Sequence, residues 1–400
     1  MTDNGGIVSF ILVNNVGGIT SMIANLVRYR GNLALPQEVI FLDIKNNSNT
    51  LFTQTLAEGV TQKTFHFDKD HNWYVSFKEM KNAIAEGPGV IVSNDLHDLI
   101  MLQAFNTGKK VVQIVHDGYN VQLALKFEEV IDKFIAHSKF FFDVLSQLIP
   151  HRRADIVHLP YGIPITGYKK TPNMDKPLRL IFLGRMKESK GIFDLPIIQK
   201  HLLEKGIRAR WTFIGSGSDK KALIEQWSLF EPARFEAPDS FDEVIKLCAD
   251  ADVFVFPTHF EGFPVSLLET MSVGVVPVVS DLPGGIREIV SERTGIRCKM
   301  GDPISFAHAI ETLHHDRLLL QTLSNNCSQL VSTNFNAECQ SPKYQAFFRS
   351  CMQDNSAPRH MSVNKKIGSR LDQPWLPDFI TKNLRKFYGS AARKRVNDSV

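Results

Sequence analysis

The chain has 400 residues, of which 43% are hydrophobic and 22% charged. That balance is ordinary for folded protein, excludes global disorder and leaves room for two or three domains. No apolar run reaches the ~18–20 residues that span a bilayer, and nothing basic precedes the short run Ile7–Val13, so neither a membrane span nor a signal peptide is expected.

Charge is unevenly placed. Residues 359–400 hold ten Lys/Arg and three Asp, whereas the first 358 residues carry 36 basic and 39 acidic side chains. The positive excess is therefore a tail property, which argues against a nucleic-acid-binding body and for one local basic surface. The five cysteines are odd in number and form no CxxC pair. A reduced, cytoplasmic setting follows, with the inner membrane face as a possible peripheral site.

In chain order, apolar runs suited to buried strands fall at 7–13, 39–43, 90–93, 111–116, 134–137 and 155–159. Helical periodicity lies between several of them, as at 19–30 and 98–105. Strand–helix alternation with continuous apolar strands predicts parallel βαβ units. The Pro-, Lys- and Thr-rich stretch 165–177 breaks the pattern and reads as a linker. Alternation then restarts, with strands at 178–183, 211–214, 234–235, 253–257 and 275–280. Helices are expected at 193–205, 220–227, 241–249 and 264–272, then at 304–314 and 317–330. In 353–400 the prolines 358, 374 and 377 are expected to interrupt any long helix. The predicted fold is α/β: two doubly wound Rossmann-like domains, 1–164 and 178–340, with parallel sheets facing across an interdomain cleft. A return segment and basic tail, 341–400, follow.

Four features carry chemistry. In ADVFVFPTHFEGFPVSLLETMSVGVVPVVSD (251–281) a strand ends in a turn with Glu261 and Gly262, and a helix begins at Pro264. Amides at such a helix start form a natural phosphate seat, while Glu261 and Glu269 are placed to accept hydrogen bonds from sugar or ribose hydroxyls. Gly184-Arg185 after a strand, with Lys190-Gly191 beyond, suits a diphosphate clamp. Gly17-Gly18 permits close backbone approach. His116-Asp117 stands at a strand end. Each alone also reads as a turn, a solvated charge or a helix face.

Together these residues resemble the retaining GT-B glycosyltransferases of glycosyltransferase family 4 (glycosyl transferases group 1). The likeness rests on EGFPVSLLE, GVVPVVSDLPGG, FLGRMKESKG at 182–191 and FIGSGSD at 213–219. It implies a hexosyltransferase moving a sugar from a nucleotide diphosphate sugar, with UDP-sugar favoured, to a hydroxyl of a glycan or lipid-linked acceptor in cell-envelope polysaccharide synthesis. Arg185 and Lys190 would bind the diphosphate, Glu269 the ribose, and Glu261 the transferred sugar. Gly184, Gly262, Phe263, Pro264, Val265 and Ser266 would complete the donor site, His116 would touch the sugar, and Gly17 and Gly18 would line the cleft. No metal or other cofactor is expected, because Arg and Lys take the cation's place. Pro264, Thr270 and Tyr161 depart from the family's usual residues without removing a charged candidate. A nucleotide-sugar epimerase of the same fold and a silent nucleotide- or glycan-binding partner subunit are the alternatives. Asp68-Lys69-Asp70 matches a metal-site DxD only by chance composition.

Two segments mix aromatic and basic residues in a way that suits an anionic membrane surface, 139–153 and 375–395.

Overall fold

The computed structural model describes residues 6–31, 35–45, 51–170, 177–238, 240–363 and 365–397. The first five residues and positions 171–176 of the proposed linker lie outside the described residues, as do the side chains of Arg393, Lys394 and Arg395.

The chain forms two compact units. The first comprises Met1–Ala136, Leu145–Val157 and Pro342–Val400. Its sheet is built from β1 (Ile7–Val13), β2 (Gln37–Ile44), β3 (Val60–Phe67), β4 (Gly89–Ser93), β5 (Lys110–Val115), β6 (Lys133–Ala136) and β7 (Ile156–His158). Their order is β3-β2-β1-β4-β5-β6-β7. The second unit comprises His137–Val144 and His158–Ser341. It holds β8 (Leu178–Leu183), β9 (Ala209–Ile214), β10 (Arg234–Glu236), β11 (Val253–Phe256), β12 (Val276–Ser280) and β13 (Ile296–Cys298), in the order β10-β9-β8-β11-β12-β13. The paired strands run parallel, for example β1 with β2 and β4, and β8 with β9 and β11. Both units are thus Rossmann-like doubly wound sheets. In each, the chain builds outward from the first strand, then returns to that strand's other side. The crevice at that reversal, beyond the carboxyl ends of β1/β4 or β8/β11, is where such sheets take ligands.

Burial explains the strand composition. Every residue of β4, β5, β11 and β12 is buried, which is why they read as mostly apolar runs. Between β8 and β11, Arg179 donates to the fully buried Asp252 through Nε at 3.0 Å and Nη2 at 2.9 Å. Edge strands lack that signal. The edge strand β3, VTQKTFHF, is largely solvent-exposed, and neither it nor β13 shows an apolar run. The helix Trp73–Ala83 is capped by Asn72, whose side chain accepts from Tyr74 N–H.

Several expectations are corrected. Pro358, Pro374 and Pro377 fall in the stretch 354–377, which has no α-helix among the described residues, but the tail beyond them is one long helix, Asp378–Asn397, beginning directly after Pro377, where proline's missing N–H costs nothing. The helix Ala337–Gln353 even contains Pro342. The helix following β11 is Val265–Ser272, with Pro264 as its extended N-cap rather than its first helical residue. Segment 139–153 turns only part of its apolar and basic side chains inward, since Phe140 and Leu148 are exposed. Phe141, Leu145 and Ile149 are buried, and Arg152 is only 2% exposed. The Arg152 guanidinium donates to the carbonyls of Ile131 and Asp132 and to Asp155, and covers the Phe134 ring.

Residues after 341 join the first unit through specific bonds. Gln345 Oε1 accepts from Gln37 at 2.8 Å, and Asp378 accepts from Asn72 N–H at 2.6 Å. The chain first enters the second unit at His137–Val144 and crosses into it again at Val157–His158, upstream of 165–177.

Candidate active site

Two loops of the second unit are locked together where β8 and β11 end. Beyond β8, Gly184 N–H donates to Ile214 O at 3.1 Å, and Met186 N–H to Ser216 O at 2.8 Å. Arg185, between them, is exposed, and among the described residues no acidic side chain pairs with it. The chain then makes a short 3-10 turn, Glu188–Lys190, closed by Gly191 at φ 68°. A Cβ on Gly191 would stand 1.9 Å from the Pro257 carbonyl oxygen. Glycine is required there twice, by the left-handed backbone and by the contact with the residue after β11. His259 N–H completes the lock by donating to Ser189 O at 3.0 Å.

Lys190 consequently lies against the β11 loop. Its Nζ donates to the Phe260 carbonyl at 3.1 Å and pairs with the Glu261 carboxylate. These side chains are only 13% and 14% exposed, so the pair is not a solvated surface contact. Glu261 leads directly into Gly262, Phe263 and Pro264, all buried, and then into the helix. Pro264 has no N–H and no side chain caps this helix, so its first donors are the amides of Val265 and Ser266, both half-buried residues.

The underside of this loop is built by residues that sequence reasoning did not single out as functional. Tyr161, a departure from the family pattern, is buried and donates its hydroxyl to Phe263 O at 2.7 Å. The Phe263 ring packs edge-on to Tyr161 and also meets Phe335 and His137. Burial pushes the His137 imidazole down to about 4, so it is neutral near pH 7. Gly285 N–H donates to Gly262 O at 2.8 Å, and a Cβ on Gly285 would fall 2.6 Å from the Phe263 ring. The GG of GVVPVVSDLPGG was the available signal for that contact. Tyr161 gave none, because its role depends on a residue 102 positions away.

Glu269 lies on the same helix, half-buried. Among the described residues nothing hydrogen-bonds its carboxylate, and burial pushes it up to about 7. It is an acceptor with unspent capacity.

The remaining candidates belong to the first unit. Gly17 caps and Gly18 opens the helix Gly18–Arg28 after β1. His116 follows β5, and its Nε2 lies 3.0 Å from Asn94 Oδ1. Asn94, just beyond β4, spends its Nδ2 on the carbonyls of Ile11 and Val92 at 3.0 and 3.2 Å. Its oxygen therefore faces His116 as an acceptor, and His116 must present Nε2–H. Asn120 reinforces this, accepting from His116 N–H and donating to Asn94 O. Asp68 of the DxD match is occupied by Lys45 at 2.6 Å and His71 at 3.3 Å.

The glycosyl transferases group 1 model matches residues 168–329, which include Arg185, Lys190, Glu261 and Glu269. The matched stretch contains the second unit's strands β8–β13. The chain is 28% identical over 159 residues to the capsular polysaccharide biosynthesis glycosyltransferase CapM of Staphylococcus aureus, covering 39% of this chain and 42% of CapM. It is 36% identical over 140 residues to the putative colanic acid biosynthesis glycosyltransferase WcaL of Escherichia coli K12, covering 32% of this chain and 34% of WcaL. It thus spans well under half of either relative. In fold it is similar to HepE of Anabaena, solved with UDP and glucose, at a TM-score of 0.70 and 16% identity over 86% of this chain and all of that one. Both sheets thus match a GT-B architecture.

Proposed function

We propose that this chain is a retaining glycosyltransferase. It transfers a sugar from a nucleotide diphosphate sugar, UDP-sugar first among the candidates, to a hydroxyl of a glycan or lipid-linked acceptor in cell-envelope polysaccharide synthesis. The reading is carried by one arrangement: Lys190 held against Glu261 at the entrance to the helix Val265–Ser272, at the carboxyl ends of the two central strands β8 and β11. A cation and uncapped helix amides suit a pyrophosphate, and flanking carboxylates suit the hydroxyls on either side of it.

Arg185 and Lys190 bind the diphosphate and stabilise the charge that grows on it as the glycosidic bond breaks. Glu269 accepts from the ribose, and Glu261 with the amides after it holds the sugar. His116 donates Nε2–H to Asn94, which fixes the ring that contacts the sugar. No carboxylate is set as a nucleophile. A front-face, dissociative path, in which the departing diphosphate assists the acceptor hydroxyl, fits retention better than double displacement. The cationic pair does the electrostatic work of a metal ion, and turnover without added metal is expected.

The test is turnover with UDP-, GDP- and ADP-sugars and a polyprenyl-diphosphate sugar acceptor, following release of nucleotide diphosphate and the product's anomeric configuration by NMR. Acceptor-dependent release with retained configuration is expected. Conversion of donor alone would make the chain an epimerase, and binding without turnover would make it a silent partner.

A further inference from the structure

The helix Asp378–Asn397 has two unlike sides. One is anchored to the first unit. Asp378 accepts from Asn72 N–H, buried Thr381 donates to Leu371 O at 3.1 Å, and Arg385 pairs with Asp372 at 2.7 Å while lying over the Trp73 ring. Arg385 is therefore spent on structure, despite standing in a basic run. The other side is open. At about 100° per residue, Lys386, Phe379, Asn383 and Phe387 fall within one arc about 100° wide, and all four are exposed. Phe379 and Phe387 are 66% and 69% exposed, and Trp375, just before the helix, is 74% exposed.

Three large aromatic side chains this exposed on one short segment mark an interaction surface. We propose that this face docks the protein on an anionic lipid surface. Charge selects that occupant. The segment from residue 359 carries ten basic against three acidic residues, and the rest of the chain is slightly acidic. The open arc itself bears a lysine and no acid, and the sequence continues into Arg393-Lys394-Arg395. Trp and Phe beside Lys suit the headgroup boundary, where rings bury while ammonium groups meet phosphates. Among the described residues no helix is long and apolar enough to cross a bilayer, so this one lies on the surface rather than through it. Segment 139–153, the other aromatic-basic stretch, is not chosen, because Phe141 and Arg152 are buried and Phe140, at 39%, is less exposed than Trp375, Phe379 or Phe387.

The docking does not depend on sugar transfer, because it is read without donor or acceptor. The full chain is floated with vesicles of phosphatidylcholine alone and of phosphatidylcholine mixed with phosphatidylglycerol, alongside the triple variant Trp375→Ser, Phe379→Ser, Phe387→Ser and the single variant Lys386→Glu. All four positions are exposed, so folding is retained and is checked by circular dichroism. Binding to the anionic vesicles only is expected, reduced about tenfold or more in the triple variant and severalfold in Lys386→Glu. Equal binding by the triple variant, or equal binding to neutral vesicles, would overturn the assignment. So would failure to bind by a wild-type chain whose light scattering reports a dimer that the triple variant loses, since the face would then meet a second copy.

Discussion

Lys190 and Glu261 form a largely buried ion pair, and Lys190 Nζ also donates to the Phe260 carbonyl at 3.1 Å. One side chain from the β8 loop is thereby tied to the loop that leads from β11 into the helix Val265–Ser272. Lys190→Ala is expected to lower turnover about 100-fold or more, because it removes a charge used as the leaving group departs. Glu261→Gln keeps the shape but loses the pairing and should also be strongly impaired. Asp68→Ala, which breaks the contacts to Lys45 and His71 and the bond from Asp70 N–H, should change the rate less than about threefold. Steady-state kinetics on purified variants decides this.

Gly191 holds that geometry. Gly191→Ala places a Cβ against the Pro257 carbonyl in a left-handed backbone, and a stability loss of about 2 kcal/mol is expected. Urea melts measure the loss. Gly206→Ala, at φ 72° but with nothing within 4 Å of the added Cβ, separates backbone strain from the contact and should cost less.

Glu269 supplies a pH signature. Its folded value, raised to about 7, means that the folded chain holds a proton that the unfolded chain releases near 4.5. Its contribution to stability is present below about pH 4.5 and is lost as pH rises toward 7. Asp98, buried and raised to about 8, works in the same direction over a wider window. Melting temperatures taken between about pH 5 and 7 should fall less steeply in Glu269→Gln than in the parent. Nucleotide binding should show the reverse trend, strengthening as Glu269 ionises and becomes a full acceptor, and that trend should vanish in the variant.

Asn94 acts through His116. Asn94→Leu removes the acceptor that orients the imidazole and should lower turnover about tenfold with little effect on nucleotide affinity. Asn94→Asp keeps an acceptor, adds a charge, and should recover part of the rate while moving the pH profile upward through His116. A rate unchanged in both variants would remove Asn94 from the mechanism.

What the sequence disclosed follows from burial. Central strands such as β8 and β11 are apolar except for Arg179, because both faces are covered, so their limits are readable to within a residue or two. The edge strands β3 and β13 are polar or short and carry no such mark. Glu261, Lys190 and Glu269 stood out because local motifs carry them. Tyr161, Asn94 and Gly285 did not, since each is defined by a partner distant in sequence or by a contact that only tertiary structure creates. The tail was legible only in part: its prolines lie between helices, but the long helix after them was not expected. Pro377 reads as a breaker, yet a proline just ahead of a helix marks where it begins.

The central claim is that Lys190 and the start of the Val265–Ser272 helix grip a pyrophosphate. Titration calorimetry tests it most directly, comparing a nucleoside monophosphate with its diphosphate on the parent chain and on Lys190→Ala, using the base that best stabilises the protein against heat. The parent should gain affinity severalfold or more from the second phosphate, and the variant should lose most of that gain while binding the monophosphate as before. An undiminished gain in Lys190→Ala, or none in the parent, would contradict the account.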